Sequence, residues 1–164
     1  MRSSTRHICA ATLALALVGC TGAADGPAAP AFEVSEAALP HVNLNVVLRG
    51  EGHGFVRFRQ PPDDEVIVNL DTRVRGLSPH ASYQLQRAVD AVVDDDCTST
   101  TWLTLGKGPT PQAILTDGLG NGQEQLWRSV SPVGATFDIH FRVIDAATAA
   151  VVLQSECYQF VISR

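Results

Sequence analysis

Histidine, cysteine and aspartate are the residues of this 164-residue chain that could support metal or redox chemistry. Imidazole and thiolate groups bind copper and zinc, and clustered carboxylates bind calcium. The chain has five histidines and four cysteines, and none of the cysteines has the CxxC spacing of a metal site. Four aspartates, Asp90, Asp94, Asp95 and Asp96, precede Cys97. Their spacing matches no calcium loop, so the pattern favours a solvated acidic loop over a calcium site.

The composition excludes several classes of protein. Hydrophobic residues make up 45% of the chain and charged residues 18%, with a formal net charge of -5. This balance fits one globular domain rather than a polar disordered chain. The acidic charge argues against a nucleic-acid partner. No apolar run reaches the roughly 18 residues of a bilayer span, so no transmembrane helix is predicted.

The N-terminal residues predict an export signal of a bacterial lipoprotein. Arg2 and Arg6 precede an apolar stretch at residues 8–18, too short for a membrane span but typical of a secretory signal. The stretch runs into the tetrapeptide Leu-Val-Gly-Cys at 17–20, which resembles a lipobox. The resemblance implies cleavage after Gly19 and lipidation of Cys20. Several acyl chains on one cysteine would give stable membrane attachment.

The chain is thereby predicted to have three parts. These are a signal peptide at 1–19, the lipidated cysteine with a flexible tether at 20–40, and a β-sandwich domain at 41–164. Proline and glycine interrupt the alanine-rich tether, which has no sustained period. The predicted location is the bacterial cell envelope, outside the cytoplasm, with the lipid anchor in a membrane. Thr21 replaces the aspartate that often retains lipoproteins at an inner membrane, which favours an outer membrane where one exists.

Short strands and turns are predicted throughout the domain, with no helix. Apolar and polar residues alternate with period two, the pattern of half-buried strands. The predicted strands are 42–48, 55–59, 66–74, 82–89, 101–105, 113–116, 123–129, 136–144 and 150–162. Strands at this spacing between Gly- and Pro-rich turns predict an antiparallel sandwich or barrel. The Asp-Gly and Asn-Gly pairs of 117–122 favour a hairpin turn over a metal or phosphate loop.

Two cysteines remain for the domain if Cys9 leaves with the signal and Cys20 carries lipid. An even pair in an exported chain predicts a disulfide between Cys97 and Cys157. Two free buried thiols and a pair of metal ligands are the alternatives. Their separation in the sequence, with no CxxC, counts against metal.

The order of several short motifs resembles the copper–zinc superoxide dismutase family. The motifs are Val47-Leu48-Arg49-Gly50-Glu51-Gly52, Phe58-Arg59-Gln60, Val74-Arg75-Gly76-Leu77 and Cys97-Thr98-Ser99, followed by Cys157 near the end of the chain. The likeness spans about residues 46–162. It implies an all-β, antiparallel, eight-stranded Greek-key β-sandwich or barrel in which Cys97 pairs with Cys157.

The metal ligands of that family are not retained in the sequence. Gln84 and Gln86 stand where the family has its His-x-His copper motif, and a carboxamide is a poor ligand for copper or zinc. The segment 100–114, which matches the family's zinc loop, contains no histidine. His140 matches the last copper ligand, and Gln154 replaces the family's guiding arginine. The expectation is therefore no catalytic residue and no cofactor, with copper at His140 as the alternative.

A second resemblance covers only residues 77–83. The pattern Leu77-Ser78-Pro79-His80-Ala81-Ser82-Tyr83 is similar to the tyrosine corner of fibronectin type III domains. It implies a hydrogen bond from the Tyr83 hydroxyl to nearby backbone. The aromatic residues Trp102, Trp127 and Tyr158 are expected in the core rather than on a binding surface.

The predicted function is that of a cell-envelope lipoprotein whose dismutase-like domain is non-catalytic and has a binding or structural role. Its partner would be an envelope protein or a small ligand, in addition to the membrane. One alternative is a dismutase-like copper-binding protein or oxidoreductase with an altered metal site. The other is a fibronectin- or immunoglobulin-like adhesion module.

Overall fold

The computed structural model describes residues 43–61 and 66–163, and no described residue is helical. Accordingly, this part of the chain holds no helix that is long and apolar enough to cross a bilayer. The predicted signal peptide, Cys20, the tether and His41 lie outside the described residues. The strands are β1 (Asn43–Gly50), β2 (His53–Arg59), β3 (Ile67–Arg75), β4 (Ser82–Asp90), β5 (Leu103–Thr104), β6 (Gly106–Lys107), β7 (Thr110–Pro111), β8 (Ala113–Leu115), β9 (Gly122–Ser129), β10 (Thr136–Asp145), β11 (Val151–Gln154) and β12 (Tyr158–Val161).

The strands form one mixed sheet that is nearly closed into a barrel. Its order is β5-β4-β10-β11-β1-β2-β3-β9-β6-β7, with β12 paired to β10 and β8 paired to β4. All these pairs are antiparallel except β6 with β9. A bridge between Thr116 and Gly122 joins the end of β8 to the start of β9. The predicted all-β fold is confirmed at this level.

The alternation seen in the sequence determines which side chains enter the barrel. On β3, Val68, Leu70, Thr72 and Val74 are buried, whereas Arg73 between them is exposed. The Thr72 hydroxyl, which would be costly to bury unpaired, donates to the Leu70 carbonyl at 3.2 Å. Period two therefore predicts the core face of the long strands correctly.

Several predicted boundaries are wrong in detail. His53 and Gly54, predicted in a turn, begin β2, and the predicted loop 106–111 contains the two-residue strands β6 and β7. The predicted strand 150–162 is divided into β11 and β12. The physical reason lies at Ser155, whose hydroxyl accepts from the Phe141 amide at 2.9 Å and donates to the Glu156 carbonyl at 2.7 Å. The Ser155 N–H still donates to the Phe141 carbonyl at 2.9 Å, but a side-chain oxygen takes the place of a backbone carbonyl as the acceptor of the Phe141 N–H.

The tyrosine corner is present as a hydrogen bond. The backbone N–H of Ser78 donates to the hydroxyl of Tyr83 at 3.1 Å, and the Tyr83 ring is buried. Thr116 fastens the same corner, because its hydroxyl accepts from the Ala81 amide at 2.9 Å and donates to the Ser78 carbonyl at 2.7 Å. These hydrogen bonds orient the segment between β3 and β4, where the chain leaves the neighbourhood of β3 for another part of the sheet.

Gln60 joins the end of β2 to the C-terminal strand. Only 3% of the residue is exposed. Its amide nitrogen donates to the Val161 carbonyl at 2.9 Å, and its amide oxygen accepts from the Ser163 N–H at 3.1 Å. The last residue of the Phe58-Arg59-Gln60 motif therefore has a structural role.

We expect the substitution Gln60→Ala to lower the free energy of unfolding by about 2 kcal/mol, because two buried backbone groups lose their partners. Urea denaturation would measure the change. The exposed Gln123→Ala on β9 is the matched control and should change stability by less than about 0.5 kcal/mol. Equal losses in the two variants would contradict the assigned role of Gln60.

Candidate functional site

The residues that match the dismutase metal site lie on the outer face of β4 and β10. These strands are antiparallel neighbours, with Gln86 opposite Arg142, Ala88 opposite His140 and Gln84 opposite Ile144. Directly opposed residues of an antiparallel pair project to the same face. The register therefore brings Gln86, Arg142 and His140 together, although His140 is distant from Gln86 in the sequence.

Arg142 is the centre of this polar face. Its Nε donates to the Gln86 side-chain oxygen at 2.7 Å, and the Gln86 nitrogen donates to the Thr104 hydroxyl at 3.0 Å. The guanidinium carbon lies 4.0 Å from the ring centre of Trp102. Partial burial lowers the pKa of Arg142 from its ordinary value. Arginine still keeps its proton in proteins, so the face carries a fixed positive charge.

His140 is enclosed by the same group of side chains. It is 7% exposed, and its Nε2 lies 3.0 Å from the Ser99 carbonyl oxygen. A carbonyl only accepts, so Nε2 carries the hydrogen in this contact. The Trp102 ring packs on the imidazole with ring centres 4.6 Å apart and planes tilted by 30°. Nε2 is therefore engaged by backbone rather than presented to a metal ion.

The segment 91–102, which we term the strap, covers this face. A disulfide between Cys97 and Cys157 fixes it to the segment between β11 and β12, as the sequence predicts. The carboxylate of Asp138 also holds it, accepting from the amides of Asp94 and Asp95 at 2.9 and 2.8 Å. Asp138 is completely buried, and its other oxygen has no hydrogen-bond partner in the described structure.

The aspartates of the acidic cluster organise the strap. Asp90 accepts from the Thr98 hydroxyl and from the Ser99 amide, both at 3.2 Å. Asp94, Asp95 and Asp96 are exposed. Within residues 43–61 and 66–163, no group of three or more His, Cys, Asp or Glu side chains is placed to hold a metal ion.

The remaining predicted residues are dispersed. Gln84 is half-buried on β4, and Gln154 is exposed on β11, where it pairs with Arg142 in the register. His53 is exposed at the start of β2, and His80 is exposed in the turn before β4. The structure thus places Gln86 with His140, and places His53 and His80 elsewhere.

The expectation that the aromatic residues pack in the core is wrong for two of them. Trp102 is the half-buried last residue of the strap, and Trp127 on β9 is 38% exposed. Both residues lie on outward-facing positions. Where a loop covers the outer face, apolar residues occur on both faces, and the period-two pattern no longer distinguishes outward positions from inward ones. Tyr158 does pack against the core, and its hydroxyl accepts from the Val47 amide at 3.2 Å.

Sequence reasoning missed the roles of Arg142, Asp138 and Ser99. Ser99 bonds to His140, Arg142 packs on the Trp102 ring that covers His140, and Asp138 holds the strap. Their importance depends on the β4–β10 register and on the position of the strap. No local motif in the sequence identifies them.

A scan against protein-family models gives no match for this chain. A search of curated proteins gives no match either.

The turn predicted at 117–122 is confirmed. One oxygen of Asp117 accepts from the amides of Asn121 and Leu119, at 2.9 and 2.8 Å, and the Asp117 N–H donates to the Asn121 carbonyl at 2.8 Å. Gly120 has φ of 75°, a left-handed conformation that glycine adopts without strain. The carboxylate of Asp117 therefore finds its hydrogen-bond donors among the backbone N–H groups of the same loop.

The pKa of Asp117 is lowered from its ordinary value, first by the amide of Asn121 and then by that of Leu119. Because the folded-state pKa is depressed, the stabilisation is present above the unfolded pKa of about 3.9 and is lost as pH falls through the folded pKa. We expect a carboxyl NMR titration of Asp117 to give a midpoint below about 3.9. In urea-unfolded chain the midpoint should return to that value. A folded midpoint at or above it would contradict the assigned bonds.

Proposed function

We propose that this protein is a cell-envelope lipoprotein whose single folded domain is a non-catalytic binding or structural scaffold of the dismutase-like Greek-key type. The observation that carries the proposal is the closed network Gln86–Arg142–Trp102–His140 on the β4–β10 face. In an enzyme with a metal centre here, this face would present open ligands. In this chain it presents paired ones.

The strand connections support the Greek-key part of the proposal. The chain passes through the β1-β2-β3 meander and then leaves it for β4, at the other end of the sheet order. It later returns so that β9 pairs with β3 and β11 pairs with β1. A long connection that brings a later strand beside an earlier one is the defining feature of a Greek key. The disulfide between Cys97 and Cys157 agrees with the pairing that the resemblance implies.

The chemistry of the face argues against a metal at this position. Copper and zinc sites need several ligands, and within residues 43–61 and 66–163 no group of three or more His, Cys, Asp or Glu side chains is placed to hold a metal beside His140. The cation of Arg142 lies between Gln86 and Trp102 and would repel a second cation. The side-chain oxygen of Gln86 accepts from Arg142 and its nitrogen donates to Thr104, so neither atom is available to a metal ion.

Trp102 provides a local reporter that tests this proposal. Copper bound beside His140 would quench the fluorescence of the ring packed on it. In a Trp127→Phe background Trp102 is the only tryptophan, because the chain has two. Replacing Cys9 and Cys20 by serine removes the two cysteines that lie outside the disulfide.

We expect addition of copper to give no saturable quenching in this variant. Saturable quenching at one equivalent, lost on His140→Ala, would overturn the proposal and favour an altered copper site.

The lipid anchor is tested separately. The substitution Cys20→Ser should move the protein from the membrane fraction to the soluble fraction when membranes are washed in high salt, and membrane association that survives this wash would refute the lipid anchor.

A further inference from the structure

The outer face of the β1–β3 meander has an unusual concentration of arginine. In the register, Arg49 lies opposite His53 and His53 opposite Arg75, while Arg57 lies opposite Asp71. These positions all project away from the barrel interior. The arginines of this surface, which we term the basic face, are all exposed: Arg49, Arg57, Arg59, Arg73 and Arg75.

This concentration contrasts with the acidic chain around it. The sequence has a net charge of -5, and only 12 of its residues are lysine or arginine. Asp71 is the one outward-facing acid that the described residues place within the meander strands, and it pairs with Arg59 at 2.7 Å. Glu51 and Glu156 lie at the margins of the basic face. The strap, with its exposed aspartates, belongs to the β4–β10 face instead.

Three of the arginines form the strongest part of the basic face. Arg49, Arg73 and Arg75 lie towards the end of the meander at which the chain turns from β1 into β2. Arg73 lies over the Phe55 ring at 5.7 Å, which holds its guanidinium against the sheet. In the register His53 lies between Arg49 on β1 and Arg75 on β3, so no described acid separates these two cations, which repel each other weakly across about 10 Å. An anionic surface bound against them would remove this repulsion.

We propose that the basic face docks on the anionic phospholipid headgroups of the membrane that carries the anchor. Guanidinium groups bind phosphate through paired hydrogen bonds, and a row of them on a sheet face suits an extended surface. The neighbouring groove of about 560 Å³ is a poorer anion site, because Asp71 and Glu124 line it together with Arg59 and Lys107.

The length of chain before the domain favours a membrane as the partner. From the proposed anchor at Cys20, residues 20–42 lead to Asn43, the first residue of β1 and therefore of the meander. A coil of this length spans roughly 25 Å, close to the roughly 26 Å length of an eight-residue strand. The tether therefore allows the basic face to reach the headgroups along the whole of β1. Attachment also raises the local concentration of the face at the membrane, so individually weak contacts are sufficient. The inference rests on the proposed scaffold function and its lipid anchor.

Vesicle binding by the unanchored protein tests the inference. The full chain with Cys9→Ser and Cys20→Ser is mixed with vesicles of phosphatidylcholine, with or without one third phosphatidylglycerol, and sedimented. We expect binding that requires phosphatidylglycerol and is lost in high salt. The triple substitution Arg49→Gln, Arg73→Gln and Arg75→Gln should weaken that binding by at least about ten-fold. Lysine at the same three positions is the matched control and should retain most of it.

Three results would overturn the inference. The first is equal binding with and without phosphatidylglycerol. The second is equal binding by the glutamine variant, with the fold of each variant checked by circular dichroism. The third is binding of soluble polyglutamate but not of phosphatidylglycerol vesicles, which would identify an acidic polymer as the partner. None of these results bears on copper binding at His140, so failure of this inference is distinguishable from failure of the proposed function.

Discussion

Loss of the Cys97–Cys157 disulfide is expected to lower the free energy of unfolding by about 4 kcal/mol. The bond closes a loop between residues 60 positions apart, and it restricts the unfolded chain accordingly. Its loss should also release the strap, because the other attachments are individually weak: hydrogen bonds to Asp138, Asp90 and His140, and the packing of Trp102 on His140 and Arg142. His140 and Trp102 would then become accessible to water.

Urea denaturation of the Cys97→Ser/Cys157→Ser variant would measure the loss of stability. Trp102 fluorescence, read in the Trp127→Phe background, would report release of the strap before global unfolding. The disulfide-intact chain with Cys9→Ser and Cys20→Ser is the control. A loss below about 1 kcal/mol, or an unchanged Trp102 spectrum, would show that the hydrogen bonds alone hold the strap.

The substitution Phe160→Ala should cost a similar amount, about 4 kcal/mol. Phe160 is completely buried on β12. Its ring centre lies 4.1 Å from that of Phe58 in an edge-to-face arrangement and 5.4 Å from that of Phe137. The contact joins β12 to β2, on the other part of the barrel wall, so truncation leaves a cavity between them.

Thermal and urea denaturation of Phe160→Ala would give the size of this effect. Val151→Ala is a suitable control, since Val151 is 44% exposed on the neighbouring β11 and should cost less than about 0.5 kcal/mol. A Phe160→Ala loss under about 1.5 kcal/mol would mean that the core relaxes around the missing ring.

Much of the fold can be predicted from the sequence because strand alternation is a local signal. The faces of β1 and β3 follow directly from period two, and the turn at 117–122 follows from its Asp-Gly and Asn-Gly pairs. The break between β11 and β12 cannot be predicted in this way. It depends on the Ser155 hydroxyl meeting the amide of Phe141, a residue on a different strand.

The candidate site is only partly predictable for the same reason. The sequence shows Gln84 and Gln86 on one strand and only one histidine, His140, in the predicted strand 136–144. The role of Arg142 is not visible in the sequence, because an arginine in an alternating strand reads as an ordinary solvated residue. Only the register that sets Arg142 opposite Gln86 makes it the centre of the polar face.

These contacts give the β4–β10 face a structural role. Arg142 donates to Gln86 and His140 bonds to the Ser99 carbonyl, so the face supports the strap. The remaining outer surface is then available for binding. The basic face on β1–β3 is the part whose charge differs most from that of the whole chain.

Metal content is the measurement that tests the central claim most directly. The oxidised protein with Cys9→Ser and Cys20→Ser would be exposed to copper and zinc, desalted, and its metal counted per chain by mass spectrometry. The account predicts far less than one metal ion per chain, unchanged by His140→Ala. One stoichiometric copper that disappears with His140→Ala would contradict it and would make a superoxide assay the next step.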